Sequence, residues 1–399
     1  MTLEMWPKQN TAFVVIHGMG SNRPFDYLDS FVSNFLKVLK CMNQGTTITC
    51  HHQLLRHKDW IESYISLTAD NAPSHLDFYE YYWDCFMVRE IKYAELLKWL
   101  ELASEGAKNF YAAHPELVTD HPEEDQAGLF KDITIKHSKE NVTLSSDDKE
   151  KIKKNIERNL NYSRTFLHNI WWMKLLHPVI RCSSCIEMVM KILKPCISKW
   201  LCNRLQDLVI YTTADVRSKN YAIRQLILEG IVDEIKLLIK QDCKIVLAGE
   251  SLGSVIAYDA INQVNLDMNV GGGLDPGLSS KIGGLVTFAS PLDKIYFLFK
   301  EQAPGEQYLR RQIVSQLYSY RTVFPQTNGG TTLTNPIADK LDKSIWVNYY
   351  HRNDLVGGFL DAYKPNDQVQ CYFEADFFKA HTSFKTYAPM YLDIALRYF

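Results

Sequence analysis

Net charge is what this sequence most lacks. Its 44 Lys and Arg stand against 46 Asp and Glu, a formal balance of -2, with a sequence pI near 6.6. Nothing global therefore recruits the chain to nucleic acid or to an anionic surface, and any such attraction has to be local. A leader is also missing from the expected features: Met1-Thr-Leu-Glu-Met-Trp-Pro-Lys-Gln-Asn10 has no basic start followed by an apolar core, so no signal peptide is expected. Without export, Asn141-Val-Thr143 reads as a chance match to a glycosylation acceptor. No internal repeat is visible. The 9 cysteines (Cys41, Cys50, Cys85, Cys182, Cys185, Cys196, Cys202, Cys243 and Cys371) are odd in number and scattered, several inside apolar runs. That pattern fits a reducing, cytoplasmic compartment. Cys182-Ser-Ser-Cys185 with Cys196, Cys202 and His177 matches no defensible zinc spacing, so neither a metal nor an organic cofactor is expected.

What is present is an alternation of short apolar runs and helical patterns, over 399 residues that are ample for a full core. Phe13-Val-Val-Ile16 reads as a buried strand that stops at His17-Gly-Met-Gly20, and Phe31, Phe35 and Leu39 mark a helix beyond it. Thr46 to Cys50 and His75 to Trp83 read as further strands, followed by a helical pattern from Ile91 to Leu102. Leu205 to Leu238 has the pattern of an amphipathic helix. Lys244-Ile-Val-Leu-Ala-Gly-Glu-Ser-Leu-Gly253 reads as strand and sharp corner, with Val255, Ile256 and Ala260 on the inner face of a helix after it. Gly284 to Phe288, Ile345 to Tyr350 and Gln368 to Phe373 complete the strand-like runs. Strands alternating with helices imply an α/β architecture with a mostly parallel sheet. Gly271 to Gly277 reads as a loop and not a phosphate cradle, because it does not lie between a strand and a helix N-terminus.

The corner at Ser251 is the feature that carries chemistry. A serine hydroxyl at its free pKa is a poor nucleophile, so it needs a base, an acid to orient that base, and donors for an oxyanion. Gly249 and Gly253 flank the serine where a tight connection would crowd any side chain. A strand, Gly-x-Ser-x-Gly and a helix in this order expose the hydroxyl and offer the backbone N–H of Leu252 as one oxyanion donor. Met19, after Gly18 in the His17-Gly-Met-Gly20 loop, is placed to offer the second.

These motifs resemble the α/β-hydrolase superfamily, and more narrowly its lipase-like serine esterases with a His-Gly-x oxyanion loop. Ile16-His-Gly-Met-Gly20 and Tyr79-Glu-Tyr-Tyr-Trp83 are also similar to the paired motifs of a bacterial group of lipase-like proteins. The resemblance covers about Phe13 to Asp84 and Asp207 to Tyr387. It implies residues 1–103 and 206–399 as two parts of one α/β-hydrolase core, with helices on both faces of the sheet. It implies a triad in the order Ser251, Asp354, His381, with Asp293 after the preceding strand as the alternative acid. His17 is expected to shape the oxyanion loop, not to exchange protons. Position 250 is Glu where many lipases carry His, a departure that the corner tolerates.

Residues 104–205 have no matching motif and read as an insertion: a charged loop, then a helical cap or lid. From 165 to 205 the apolar residues are joined by Lys174, Arg181, Lys191, Lys194, Lys199 and Arg204 against a single acid, Glu187. Charges interrupt the run too often for a spanning helix, which needs about 20 mainly apolar residues. Two readings stand: an interfacial cap in peripheral contact with a membrane, or an ordinary helical lid with solvated basic residues. The implied activity is hydrolysis of acyl esters by a lipase or phospholipase. An acyl-thioesterase, or a catalytically silent docking module on the same fold, are the alternatives.

Overall fold

A computed structural model describes residues 5–20, 22–56, 61–87, 99, 206–213, 218–270, 275–293, 295, 308–323, 333–354, 356–375 and 377–399. The insertion at 104–205, the helical pattern at 91–102 apart from residue 99, and residues 271–274 of the Gly271–Gly277 loop lie outside these residues. The chain forms two compact units, one of Met1–Met87, Ala222–Ile295 and Gln312–Phe399, the other of Val88–Tyr221 and Tyr296–Arg311. In the second unit the described residues include a helical stretch at 206–211, where Val209, Ile210 and Tyr211 are buried.

Among the described residues the first unit holds one sheet of eight strands: β1 (Thr11–Ile16), β2 (Ile48–Arg56), β3 (Ile61–Ala69), β4 (Leu76–Glu80), β5 (Lys244–Glu250), β6 (Ile282–Phe288), β7 (Ile345–Tyr350) and β8 (Asp367–Gln370). Their spatial order is β2-β3-β4-β1-β5-β6-β7-β8. β2, β3 and β4 form an antiparallel meander, and from β4 onward every pairing is parallel. β1 and β6 are buried along their whole lengths, as is β5 after its first residue. Strands covered on both faces read as continuous apolar runs, which is why they were legible in the sequence.

Helices cover both faces. On one lie α1 (Asp26–Met42) and, after the remaining helices, the chain's last helix. α1 presents Tyr27, Leu28, Phe31, Val32, Phe35, Val38 and Leu39, the three-and-four spacing of a one-sided helix. Phe31 and Phe35 meet Phe13 of β1 and Phe78 of β4, with Phe13 and Phe78 stacked at 5.6 Å. Each ring fully buried here contributes about 1.5–3 kcal/mol relative to exposure. On the other face are α2 (Lys219–Ile239) and α3 (Leu252–Asn269). Tyr81 donates to Ile227 O of α2 at 2.5 Å, and Trp346 packs on Tyr258 of α3 with ring centroids 5.5 Å apart. α4 (Tyr308–Leu317), α5 (Phe377–Ala380) and α6 (Ala388–Tyr398) follow, α6 being the helix that joins α1.

The α/β architecture and mostly parallel sheet expected from the sequence are present, with differences in detail. The strand expected at Thr46–Cys50 runs instead from Ile48 to Arg56, continuing through His51-His-Gln53 because it lies at the sheet edge with most residues exposed. β3 was not anticipated at all. The strand expected from His75 to Trp83 ends at Glu80, and Trp83–Phe86 form a 3-10 turn. The run expected to reach Phe373 pairs only from Asp367 to Gln370. The pattern from Leu205 to Leu238 is not one helix, since the stretch at 206–211 gives way to a turn before α2 begins at Lys219. Among the described residues, no helix is long and apolar enough to cross a membrane.

Candidate active site

The C-terminal ends of β1 and β5 are neighbours, with Ile16 in register with Gly249. That is the edge of a parallel sheet where loops from adjacent strands converge. Ser251 follows β5 directly and precedes α3. Its φ of 52° and ψ of -123° put a residue with a side chain in a sparsely populated region, a strain that the surrounding contacts hold in place. The Ser251 N–H donates to Phe288 O at 3.0 Å, and its carbonyl accepts from the Ser254 hydroxyl at 2.5 Å. The flanking glycines are there for space. A Cβ on Gly249 would strike the Gly253 backbone, and one on Gly253 would strike the carbonyls of Ile16 and His17, so α3 can seat its first turn on the end of β1 only without them.

His381 meets the hydroxyl. Its Nε2 lies 2.9 Å from Ser251 Oγ, and its Nδ1 lies 2.9 Å and 3.0 Å from the two carboxylate oxygens of Asp354. Asp354 is buried in the loop after β7, and its Oδ1 also accepts the N–H groups of Val356 at 2.8 Å and Gly357 at 2.9 Å. Burial by itself would raise this carboxyl. The hydrogen bond and charge of His381, helped by the two amides, outweigh it and hold Asp354 below the ordinary carboxylate range. An ionised acid on Nδ1 leaves the Nε2 lone pair facing the hydroxyl, the arrangement by which an imidazole takes a serine proton. The alternative acid, Asp293, is directed elsewhere: it accepts the Ala362 N–H at 2.7 Å.

The His17-Gly-Met-Gly20 loop passes directly over this corner. A Cβ on Gly18 would lie 2.9 Å from Ser251 Cβ, so no other residue fits there without displacement. The loop is held from several sides. Asn22 Nδ2 lies within 3.3 Å of His17 Nδ1 and of the Gly18 and Gly20 carbonyls. The fully buried His17 ring stacks on Trp83 at 4.8 Å, whose indole N–H donates to His17 O at 2.9 Å. Tyr82 donates to Asn22 O at 2.8 Å. Glu80 accepts the Leu28 N–H at 3.3 Å and the Phe25 N–H, closing the α1 N-terminus. The Tyr79–Trp83 motif is thus the scaffold of the loop, a role that its sequence alone did not define. Met19 follows Gly18 in the loop, and Leu252 is the first residue of α3, where an N–H has no partner within the helix.

Sequence reading also missed Glu250 and Lys385. Glu250 is buried beside the corner, with Lys385 Nζ 3.3 Å from its Oε2. The signal was the unusual Glu itself, treated only as a tolerated departure. Among the described residues no group of three or more His, Cys, Asp or Glu is arranged to hold a metal ion. The Cys182, Cys185, Cys196, Cys202 and His177 set falls outside them, as does the segment 165–205.

Comparison of the chain with models of protein families, with curated proteins and with solved structures returns no match.

Proposed function

We propose that this chain is a serine hydrolase of the α/β-hydrolase type that cleaves acyl esters through Ser251, His381 and Asp354. The observation that carries this reading is the continuous path from the Ser251 hydroxyl through His381 to Asp354, built on a strained corner between strand and helix. His381 takes the hydroxyl proton as Oγ attacks the ester carbonyl carbon, and Asp354 fixes the imidazole tautomer and balances the imidazolium. The Met19 and Leu252 amides receive the oxyanion. Collapse of the tetrahedral species expels the alcohol, which takes its proton from His381, and water then releases the acyl group by the same steps.

A lipid or phospholipid ester is the substrate class we favour, on the strength of the lipase-like motifs and of the apolar, aromatic and basic composition of residues 165–205. Peripheral membrane contact through that segment belongs to the same proposal. A fluorophosphonate probe should label the purified chain, and Ser251→Ala or His381→Ala should abolish labelling with the folded spectrum retained. A wild-type chain that never labels would instead favour a silent docking module. A panel of phospholipid, acyl-thioester and short-chain ester substrates then separates lipase from thioesterase.

A further inference from the structure

Glu250 is a second buried carboxylate at the corner, and its charge and that of His381 act on each other. Glu250 is the last residue of β5, one position before Ser251, and its side chain enters the face covered by α1 and α6 instead of the open end of the sheet. Lys385 lies in the 3-10 turn Ser383–Thr386, just after His381. Its ammonium reaches Glu250 Oε2 at 3.3 Å and sits 5.3 Å from the centre of the Tyr27 ring of α1. The backbone of the same turn is fixed from α6, where Tyr391 donates to Lys385 O at 2.8 Å. The segment that carries the imidazole is therefore tied to the residue preceding the nucleophile.

The surroundings make this tie unusual. The groups that act most strongly on Glu250 are neutral or cationic: Lys385 on the turn, His381 ahead of it and Tyr27 on α1, with Tyr391 of α6 nearby and Glu80 acting on the far side of Tyr27. Burial, reinforced by the Glu250 charge, keeps both tyrosine hydroxyls protonated. Burial holds the Glu250 carboxyl above its ordinary range, against the opposing pull of Lys385 and His381 toward ionisation. His381 is accordingly flanked by Asp354 on its Nδ1 side, by the Ser251 hydroxyl on Nε2, and by the Glu250–Lys385 pair near the corner.

We propose that Glu250 and Lys385 are a positioning pair: the ion pair registers the His381 turn against the nucleophile corner, and the Glu250 carboxylate supplements Asp354 in stabilising the imidazolium. Neither residue touches the reacting atoms. This inference rests on the hydrolase reading for its catalytic meaning, but its electrostatic content does not.

The test is a titration of the His381 ring by imidazole NMR on the full chain, with the resonance assigned by its loss in His381→Gln. In Glu250→Gln, which keeps size and removes charge, the midpoint should fall by about one pH unit, the size expected for losing a nearby opposite charge. A purely mechanical role would leave it unmoved, and an unchanged midpoint overturns the proposal. Should Glu250→Gln fail to fold, Lys385→Met carries the test at a half-exposed site. Its midpoint should move by more than about half a unit while Lys385→Arg leaves it in place; equal midpoints in all three proteins overturn the pair. Kinetics add the catalytic half once the wild-type chain is shown to label. There kcat should fall about tenfold in Glu250→Gln with KM little changed, and Lys385→Arg should keep most of the rate. Failure to label speaks against the hydrolase reading alone, because the ring titration is read without turnover.

Discussion

Asp354 shows how much a single buried carboxylate can organise. It accepts from His381 Nδ1 and from the Val356 and Gly357 amides, and it offers no proton of its own. Those two properties together select one imidazole tautomer and one ring orientation. Asp354→Asn removes the charge and can present an N–H where only an acceptor serves, so the ring can flip its protonation with little change in shape. We expect kcat for ester hydrolysis to drop by about 10⁴, with the folded spectrum retained. A loss below about tenfold would mean that the acid is structural. Ser251 and His381 were readable from spacing because the corner motif and the position after the last strand are local signals. Choosing between Asp354 and Asp293 was not, since each follows a strand and only the fold turns one toward the imidazole. Glu250 was harder still: its partner lies far along the chain, and a Glu in a tight corner carries no sign of what it faces.

At the scale of elements, the notable device is the capping of α1 from a distant strand. Phe25, at the helix N-cap, sits in the left-handed region with φ 70° and gives no side-chain cap. Glu80, from the end of β4, accepts the Phe25 and Leu28 amides instead. A buried carboxylate satisfying two helix donors is worth more than an exposed cap. Glu80→Ala should cost about 2 kcal/mol in urea unfolding and should also slow fluorophosphonate labelling, because the same residues frame the loop over Ser251. Unchanged unfolding would show that solvent replaces the cap. Element legibility followed burial. β1, β5 and β7 announced themselves as short apolar runs bounded by polar or glycine residues. β3 was passed over because polar residues are buried in it together with apolar ones, Glu62 and Ser66 beside Leu67, so no alternation of apolar and polar positions marks a covered face. β2 was cut short because an edge strand with both faces partly wet has no periodicity to show.

For the whole molecule, the acid side of the pH range is where the site should give way. His351, buried after β7, accepts the Asn353 N–H on Nδ1 at 3.1 Å and donates from Nε2 to Phe373 O at 3.1 Å, with its ring stacked on Phe373 at 4.4 Å. The bond accepted on Nδ1 requires the neutral ring, and together the two bonds join the Asp354 loop to the segment after β8. Burial lowers this histidine below its ordinary 6.5. The unfolded chain therefore binds the proton first: the stabilising contribution is complete above the unfolded value and declines as pH falls toward the folded one. Asp354, also depressed, contributes above its ordinary 3.8 and is lost lower still, as pH drops through its folded value. Burial raises the carboxyls of Asp77, Glu80, Glu234 and Glu250, which act in the opposite sense, so the His351 contribution is read as a difference: between about pH 7 and about pH 5 the urea midpoint of the wild-type chain should fall relative to that of His351→Gln. Identical slopes would assign the decline to other groups.

The order of the chain sets a schedule for the proposed chemistry. All eight strands precede His381, and α6 beyond it drives Tyr398 into the sheet, its hydroxyl donating to Ile345 O at 2.9 Å and its carbonyl accepting from Lys244 at 3.1 Å. A growing or prematurely terminated polypeptide thus contains the nucleophile long before it contains anything able to deprotonate it. Reactivity would switch on only once His381 and α6 have been made and packed, so shorter products that hold Ser251 without them, however well their strands pair, would stay inert under the proposed mechanism.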